Sequence, residues 1–347
     1  MQQPRHRSIL KAPSLFQNPR GLYIDMKVLA GDIGGTQTRI ALFDVDKIHL
    51  TPLIEKTYSS VAYPNLDTII EDFISLEKFT AAAACFGVAG PIQQDRCNTT
   101  NLPWNIDVQQ IGRKIGIRRA TLINDLEANA WGLQALAPND LHVINPGNPP
   151  AGGNACIISA GTGLGEAGLY WNGIQYQPYA SEGGHCDFVA NTEQEFRLLK
   201  FLQQRYDHVS WERVVSGMGV VNIFEFLITD HGFSTPEWFE YGVAAAEISS
   251  KSLDGSCALC AETMDLFVRL YAAEAGNLAL KTMATGGVYI GGGIAPKILR
   301  KLLEPTFLET FKAKGRMTNL LGNMPVKVIL NPKTAIYGSA LYGRTHG

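Results

Sequence analysis

An acid, two threonine hydroxyls and three glycines crowd one short stretch, Gly31-Asp32-Ile33-Gly34-Gly35-Thr36-Gln37-Thr38. Glycines let backbone N–H groups converge on a small volume, and such a nest binds phosphate oxygens. Asp32 at its edge would repel a bare phosphate, so the carboxylate makes sense with a divalent cation in between. Gly31, Asp32, the backbone of Ile33, Gly34, Gly35, Thr36 and Thr38 together suggest a Mg-nucleotide site, with Asp32 reaching Mg²⁺ through water. The same residues suit an ordinary hairpin with a loose turn, and the turn alone does not separate the two. A second Gly-Thr turn follows later, Ser159-Ala160-Gly161-Thr162-Gly163-Leu164-Gly165, and a third glycine cluster is Gly291-Gly292-Gly293. Asp125 follows Asn124 after an apolar run, and Glu182 and His185 flank Gly183-Gly184. Taken singly, each has a plainer reading: Asp125 as the cap of a helix starting at Leu126, His185 in a structural hydrogen bond, Glu212 on a solvated helix face.

These groups need elements to carry them. Residues 27–30, 38–43 and 48–58 read as three strands joined by short turns, the first two forming a hairpin around the Asp32 stretch. Leu66, Ile69, Ile70, Phe73 and Ile74 have helical spacing within 65–79. Strands at 81–88 and 120–123, a short one within 99–104, and helices at 108–115 and 126–136 complete an α/β unit. The pattern then restarts as strand, Gly-Thr turn and strand over 154–171. Two such hairpins opening two halves suggest a duplicated domain gripping one phosphate chain across a cleft. Helices dominate 194–284, a block large enough to be an insertion. A strand runs into Gly291-Gly292-Gly293, a helix covers 297–303, and a last strand (326–330) and helix (335–342) follow.

The chain has 347 residues, 46% hydrophobic and 18% charged. That length exceeds what one core usually serves, so two domains are expected. A net charge of −2 gives no electrostatic case for nucleic acid or an acidic membrane surface. No apolar run is long enough to span a bilayer. Six cysteines, most in apolar segments, fit reduced thiols and a cytoplasmic location. Cys257 and Cys260 form a single CxxC with no second pair nearby, so two thiols near a helix start are expected rather than zinc. Residues 1–25 are basic and Pro-broken; they read as a disordered extension, or as residues upstream of a natural start at Met26. Gly163 to Gly168 spells GxGxxG, but an apolar Leu169-Tyr170-Trp171 follows where a dinucleotide site needs a helix. No HRD or DFG triplet and no GxxxxGK[ST] is present.

In order, these motifs resemble a known family. Leu29 to Thr36 looks like the first phosphate motif of the sugar kinase, actin and Hsp70 superfamily, Ser159 to Gly165 like its second, and Gly286 to Ile294 like its adenosine motif. Asn101-Leu102-Pro103-Trp104, Leu122 to Ala128, Ser181-Glu182-Gly183-Gly184-His185-Cys186-Asp187-Phe188 and His208 to Gly217 are similar to the bacterial-type glucokinase family specifically. The likeness covers everything after about Met26. The zinc-binding CxCGxxGC of the related ROK-type kinases is missing.

The resemblance implies a two-domain α/β protein of the actin-like ATPase (ribonuclease H-like) fold, with duplicated β-hairpin phosphate loops and a helical insertion in the large domain. It implies a small domain of 26–136 plus 328–347 and a large domain of 137–327. It implies transfer of the ATP γ-phosphoryl group to glucose, giving glucose 6-phosphate, with Mg²⁺. Phosphoryl transfer asks for an aligned acceptor, a proton acceptor and charge stabilisation. Asp125 becomes the base for the sugar 6-hydroxyl. Asn124, Asp125, Glu182, His185 and Glu212 become the sugar-binding set, suiting hydroxyls that both donate and accept. Gly31, Asp32, Gly34, Gly35, Thr36, Thr38, Gly161, Thr162, Gly163, Gly291, Gly292 and Gly293 become the nucleotide set. Rival readings are a kinase for another hexose, a non-catalytic sugar-responsive regulator, and an actin-like filament or chaperone ATPase. A homodimer stays open.

Overall fold

The computed structural model describes residues 26–45, 49–76, 79–99, 102–239 and 244–346. The expectation for residues 1–25 and the match at Asn101 lie outside the described residues.

The first half builds a five-stranded sheet. Its strands are β1 (Met26–Ile33), β2 (Gln37–Val45), β3 (Leu50–Ser59) and β4 (Ala83–Val88), with β8 (Ala120–Asn124) at one edge, in the order β3-β2-β1-β4-β8. β1 to β3 form an antiparallel meander, and β1, β4 and β8 run parallel. Helix α1 (Leu66–Leu76) buries Leu66, Ile69, Ile70 and Phe73, the face its apolar spacing predicts. Helix α2 (Val108–Ile115) ends at Gly116, whose φ of 74° suits a residue without Cβ. Between β4 and α2 lies a small sheet of β5 (Ile92–Gln93), β6 (Arg96–Asn98) and β7 (Asn105–Asp107). Here the expected strand within 99–104 is instead the connection between β6 and β7. The Thr99 N–H bonds to the Trp104 carbonyl at 3.1 Å and the Thr99 hydroxyl to that of Leu102 at 2.8 Å, closing a hairpin around Pro103.

The second half repeats the plan. Strands β9 (Leu141–Asn145), β10 (Ala155–Ala160), β11 (Leu164–Trp171), β12 (Tyr176–Ser181), β13 (Gly287–Gly291) and β14 (Val326–Ile329) form a six-stranded sheet ordered β12-β11-β10-β13-β14-β9. Again three strands meander and parallel strands continue from the first. The shared order supports the duplication read from the two Gly-Thr turns. Helices from α4 (Glu193–Leu202) through α5 (Gly217–His231) and α6 (Ala244–Leu253) to α7 (Ala258–Thr282) make up the expected helical block. Cys257 is the N-cap of α7, its sulfur accepting from the Cys260 N–H at 3.3 Å.

Two helices tie the halves together. Helix α3 (Asp125–Gly132) follows β8, and α11 (Thr334–His346) ends the described chain. Among the described residues β14 stays in the second sheet through Ile329, so the expected boundary at 328 falls inside a strand, and only α11 returns to the first sheet. Its docking rests on small residues. A Cβ on Gly338 would overlap the Ala128 carbonyl, and one on Gly132 would overlap that of Thr334, so the α3 and α11 backbones touch. Ser339 then donates to the Gly31 carbonyl at 2.9 Å, directly beneath Asp32.

Candidate active site

The parallel strands of the first sheet end together. Asp32 pairs with Gly87, and Val88 pairs with Asn124, so Asp32, Asn124 and Asp125 lie at the carboxyl ends of neighbouring strands. That is where open α/β sheets bind ligands. Strand β1 runs through Ile33, placing Asp32 on the strand rather than in the turn. Ile33 is buried and offers only its backbone.

The first glycine turn is held from inside. The Gly34 N–H bonds to the Gln37 carbonyl at 3.0 Å. Ser60 donates its hydroxyl to the Gly34 carbonyl at 2.7 Å and shares a 3.0 Å hydrogen bond with the Thr38 hydroxyl. Thr38 is fully buried. The expectation that its hydroxyl reaches phosphate is therefore corrected: β2 alternates, Thr38 points inward, and its oxygen braces the turn. Thr36 is exposed at the tip, and Gly34 and Gly35 are half-buried. Arg39 was not singled out by the sequence reading. It stands opposite Asp32 in the hairpin register, with its guanidinium 3.8 Å from the carboxylate. The equal distances of the two residues from the turn were the available signal. Burial pushes the Asp32 carboxyl up, and Arg39 opposes it.

Asp125 is the first residue of α3, and the cap is its neighbour: the Asn124 side chain accepts from the Leu126 N–H at 2.8 Å. The capping role considered for Asp125 thus passes to Asn124. The Asp125 carboxyl is pushed up to about 6, chiefly by burial, with the charges of Asp32 and Glu182 adding to the rise and nearby backbone N–H groups opposing it. Three carboxylates thus share one cleft, Asp32 and Asp125 from the first sheet's edge and Glu182 from the second half.

Across the cleft, Glu182 precedes and His185 ends a single 3₁₀ turn, Gly183–His185, with the His185 Nε2 3.9 Å from the Glu182 carboxylate. Their side chains are 61% and 78% exposed, His185 and Glu182 respectively, so they face solvent rather than the core. The backbone must bend tightly here, because a Cβ on Gly183 would overlap the Glu166 carboxyl and one on Gly184 the Leu164 carbonyl. Glu212 sits on the next 3₁₀ turn, Trp211–Arg213, stitched to the first by the Trp211 N–H bonding to the Cys186 carbonyl at 3.0 Å. Its carboxylate accepts from the Leu164 N–H at 3.0 Å and lies against Gly163. It is no solvated helix residue; it closes the second glycine turn.

That turn is braced at both ends. The Gly161 N–H bonds to the Gly163 carbonyl at 2.9 Å, and the Gly161 carbonyl accepts from Gly217, the first residue of α5, at 2.8 Å. Thr162 is exposed at its tip. Gly291 ends β13 beside it, and Gly292, with a φ of 83°, and Gly293 follow. The second and third glycine turns and the Glu182–Glu212 pair of turns therefore come together, with Asp125 close enough to feel the charges of Glu182 and Asp32. Helix α3 touches strands of both sheets, its Leu126 filling the space over Gly165.

The family profile described as Glucokinase matches residues 29–346. The chain belongs to the glucokinase family. It is 41% identical over 334 residues to the glucokinase of Nostoc punctiforme, a match covering 90% of this chain and 98% of that one. The crystal structure of a glucokinase from an Antarctic psychrotroph superposes with a TM-score of 0.83 at 31% identity, covering 93% of this chain and 99% of that chain. The structure of a ROK family glucokinase from Streptomyces griseus in complex with glucose and AMPPNP shares the fold, with a TM-score of 0.62, 18% identity and coverage of 92% and 99%. The family's two-domain α/β architecture is thus that of this chain. Among the described residues, no helix is long and apolar enough to cross a membrane.

Proposed function

We propose that this chain phosphorylates glucose on its 6-hydroxyl with ATP, and that Asp125 is the proton acceptor. The observation that carries the assignment is the family match over nearly the whole chain, joined to a buried, raised carboxyl at the end of a parallel strand. A group near 6 is ionised at neutral pH yet more basic than an ordinary aspartate, which suits general-base work. Asn124 orients the start of α3 and hence Asp125. Glu182, His185 and Glu212 supply acceptors and an amphoteric ring for the remaining sugar hydroxyls.

The nucleotide lies between the glycine turns in this reading. Gly34, Gly35 and Thr36 face the phosphates from one wall, and Gly161, Thr162 and Gly163 from the other; Gly31, expected in the same set, is instead buried within β1 between β2 and β4. Gly291, Gly292 and Gly293 flank the nucleoside. No phosphate-facing lysine is needed if backbone N–H groups provide the charge stabilisation. Among the described residues, no group of three or more acidic, histidine or cysteine side chains converges as a metal cage. Asp32 alone fits Mg²⁺, which commonly keeps several waters and is bound by one or two carboxylates with substrate phosphates. Asp32 would hold the ion, which would supply neutralising charge to the phosphates.

Residues 26–136 with α11 act as the small domain and 137 to about 330 as the large one. Glucose touching Asp125 on one and Glu182 on the other favours the closed form. The cytoplasm supplies both substrates. A coupled assay with ATP and a hexose panel tests the assignment. Phosphorylation of glucose well above mannose and fructose supports it; preference for another hexose, or ATP hydrolysis indifferent to sugar, overturns it.

A further inference from the structure

Helix α7 sends one side chain into the seam between two of these turns. Tyr271 is fully buried, its ring edge-on to Phe267 at 5.9 Å and Phe307 at 6.4 Å between centroids. Its hydroxyl sits where β10 and β13 part company. The parallel register between them runs to Ser159 opposite Gly291 and stops. Beyond that point Ala160 leads into the Gly161 turn, and Gly291 into Gly292-Gly293. The Tyr271 oxygen accepts from the Ala160 N–H at 3.3 Å. Its proton is directed at the carbonyls of Gly291, at 3.1 Å, and Ile158, at 3.3 Å. Ala160 is gripped on its other side as well, where its carbonyl accepts from the Ile294 N–H at 3.2 Å. Gly292 passes so close that any Cβ there would overlap the Ala160 backbone.

We propose that Tyr271 is a positioning residue for the nucleotide, fixing the spacing between the second phosphate turn and the adenosine-side glycine turn. The proposal rests on reading both turns as nucleotide-binding. Its physical basis is the loss of the sheet ladder at the strand ends. Buried N–H and carbonyl groups there require partners, and one hydroxyl serves both strands. Loops that grip opposite ends of one ligand work only if the elements beneath them keep a fixed separation. Burial pushes the phenol pKa up, so it stays a neutral donor. Nothing local in the sequence marks this residue, because a tyrosine in an apolar helix reads as core.

The test is Tyr271→Phe, which keeps the ring and removes the hydroxyl. We expect KM for Mg-ATP to rise about 2- to 12-fold, the net worth of one hydrogen bond. Glucose affinity by calorimetry without nucleotide should stay within about twofold, since no sugar-facing group moves. A lowered melting temperature with KM for Mg-ATP unchanged, or with both affinities falling together, overturns the proposal. Gly161→Ala and Gly293→Ala are the controls, because a Cβ at either meets nothing within 4 Å and the fold is spared. If neither raises KM for Mg-ATP, the reading of the turns fails and the proposal with it. If they raise it and Tyr271→Phe does not, the Tyr271 inference alone fails. Should Tyr271→Phe not fold, hydrogen exchange on the unmodified protein decides. The Ala160 amide should exchange slowly, and more slowly with a non-hydrolysable ATP analogue; fast exchange in both states overturns the proposal.

Discussion

Replacing Asp125 by Asn should make the protein more stable and nearly inactive, and the gain should depend on pH. Folding lifts this carboxyl from its ordinary 3.8 to about 6, mainly by burying it near Asp32 and Glu182. The native state therefore holds a proton that the unfolded chain has already lost between those two values. Stability falls as pH rises through that window and levels off above it. About 2 pH units at ~1.4 kcal/mol each amount to about 3 kcal/mol at neutral pH. An amide has no charge to bury but keeps some polarity, so the measured gain should lie between about 1 and 3 kcal/mol. Urea unfolding of both forms at about pH 4.5 and about pH 8 is the measurement, with the gain growing by about 2 kcal/mol between them. Turnover by the same variant should fall by about 10² to 10⁴. In the unmodified protein, kcat/KM should rise with pH through about 6, because that ratio reports ionisations of the free enzyme. A stability difference that ignores pH, or near-normal turnover in the folded variant, would refute the reasoning.

Three more outcomes follow from the same geometry. Asp32→Ala should cripple turnover and weaken Mg-nucleotide binding while calorimetry still detects glucose; lost glucose binding with Mg-ATP binding intact would contradict the role of Asp32. Glu182→Gln should raise KM for glucose and reduce glucose-induced compaction in small-angle scattering, whereas unchanged curves for the unmodified protein at saturating glucose would argue against closure. Glu166 is buried beneath Gly183 beside Glu274 on α7, and burial together with the Glu274 charge pushes its carboxyl up to about 8. Its raised value means stability is lost as pH climbs toward about 8, so Glu166→Gln should flatten that loss in thermal melts across the range, and an unaltered pH profile would remove Glu166 as its source.

The sequence by itself determined the features that depend on local constraint. Glycine clusters mark where backbone groups must converge, and apolar runs on either side make them hairpins. Both Gly-Thr turns, the duplicated halves and the buried face of α1 were legible for that reason. The edge strands of the second sheet were not: β9 and β12 are half-polar, and pairing with a neighbour rather than their own residues makes them strands. Side-chain direction was the other gap. Whether Thr38 faces phosphate or protein depends on Ser60, brought beside it by the β3 meander. Whether Asp125 caps its helix depends on Asn124 taking that bond. Glu212 reads as a surface charge until the Leu164 N–H, 48 residues away in the chain, meets it. Tyr271 is core by every local measure, and only the parting of β10 from β13 gives its hydroxyl work to do. Chemistry that comes from one stretch of backbone is written in that stretch, whereas chemistry that needs two stretches to meet is decided by the packing that brings them together.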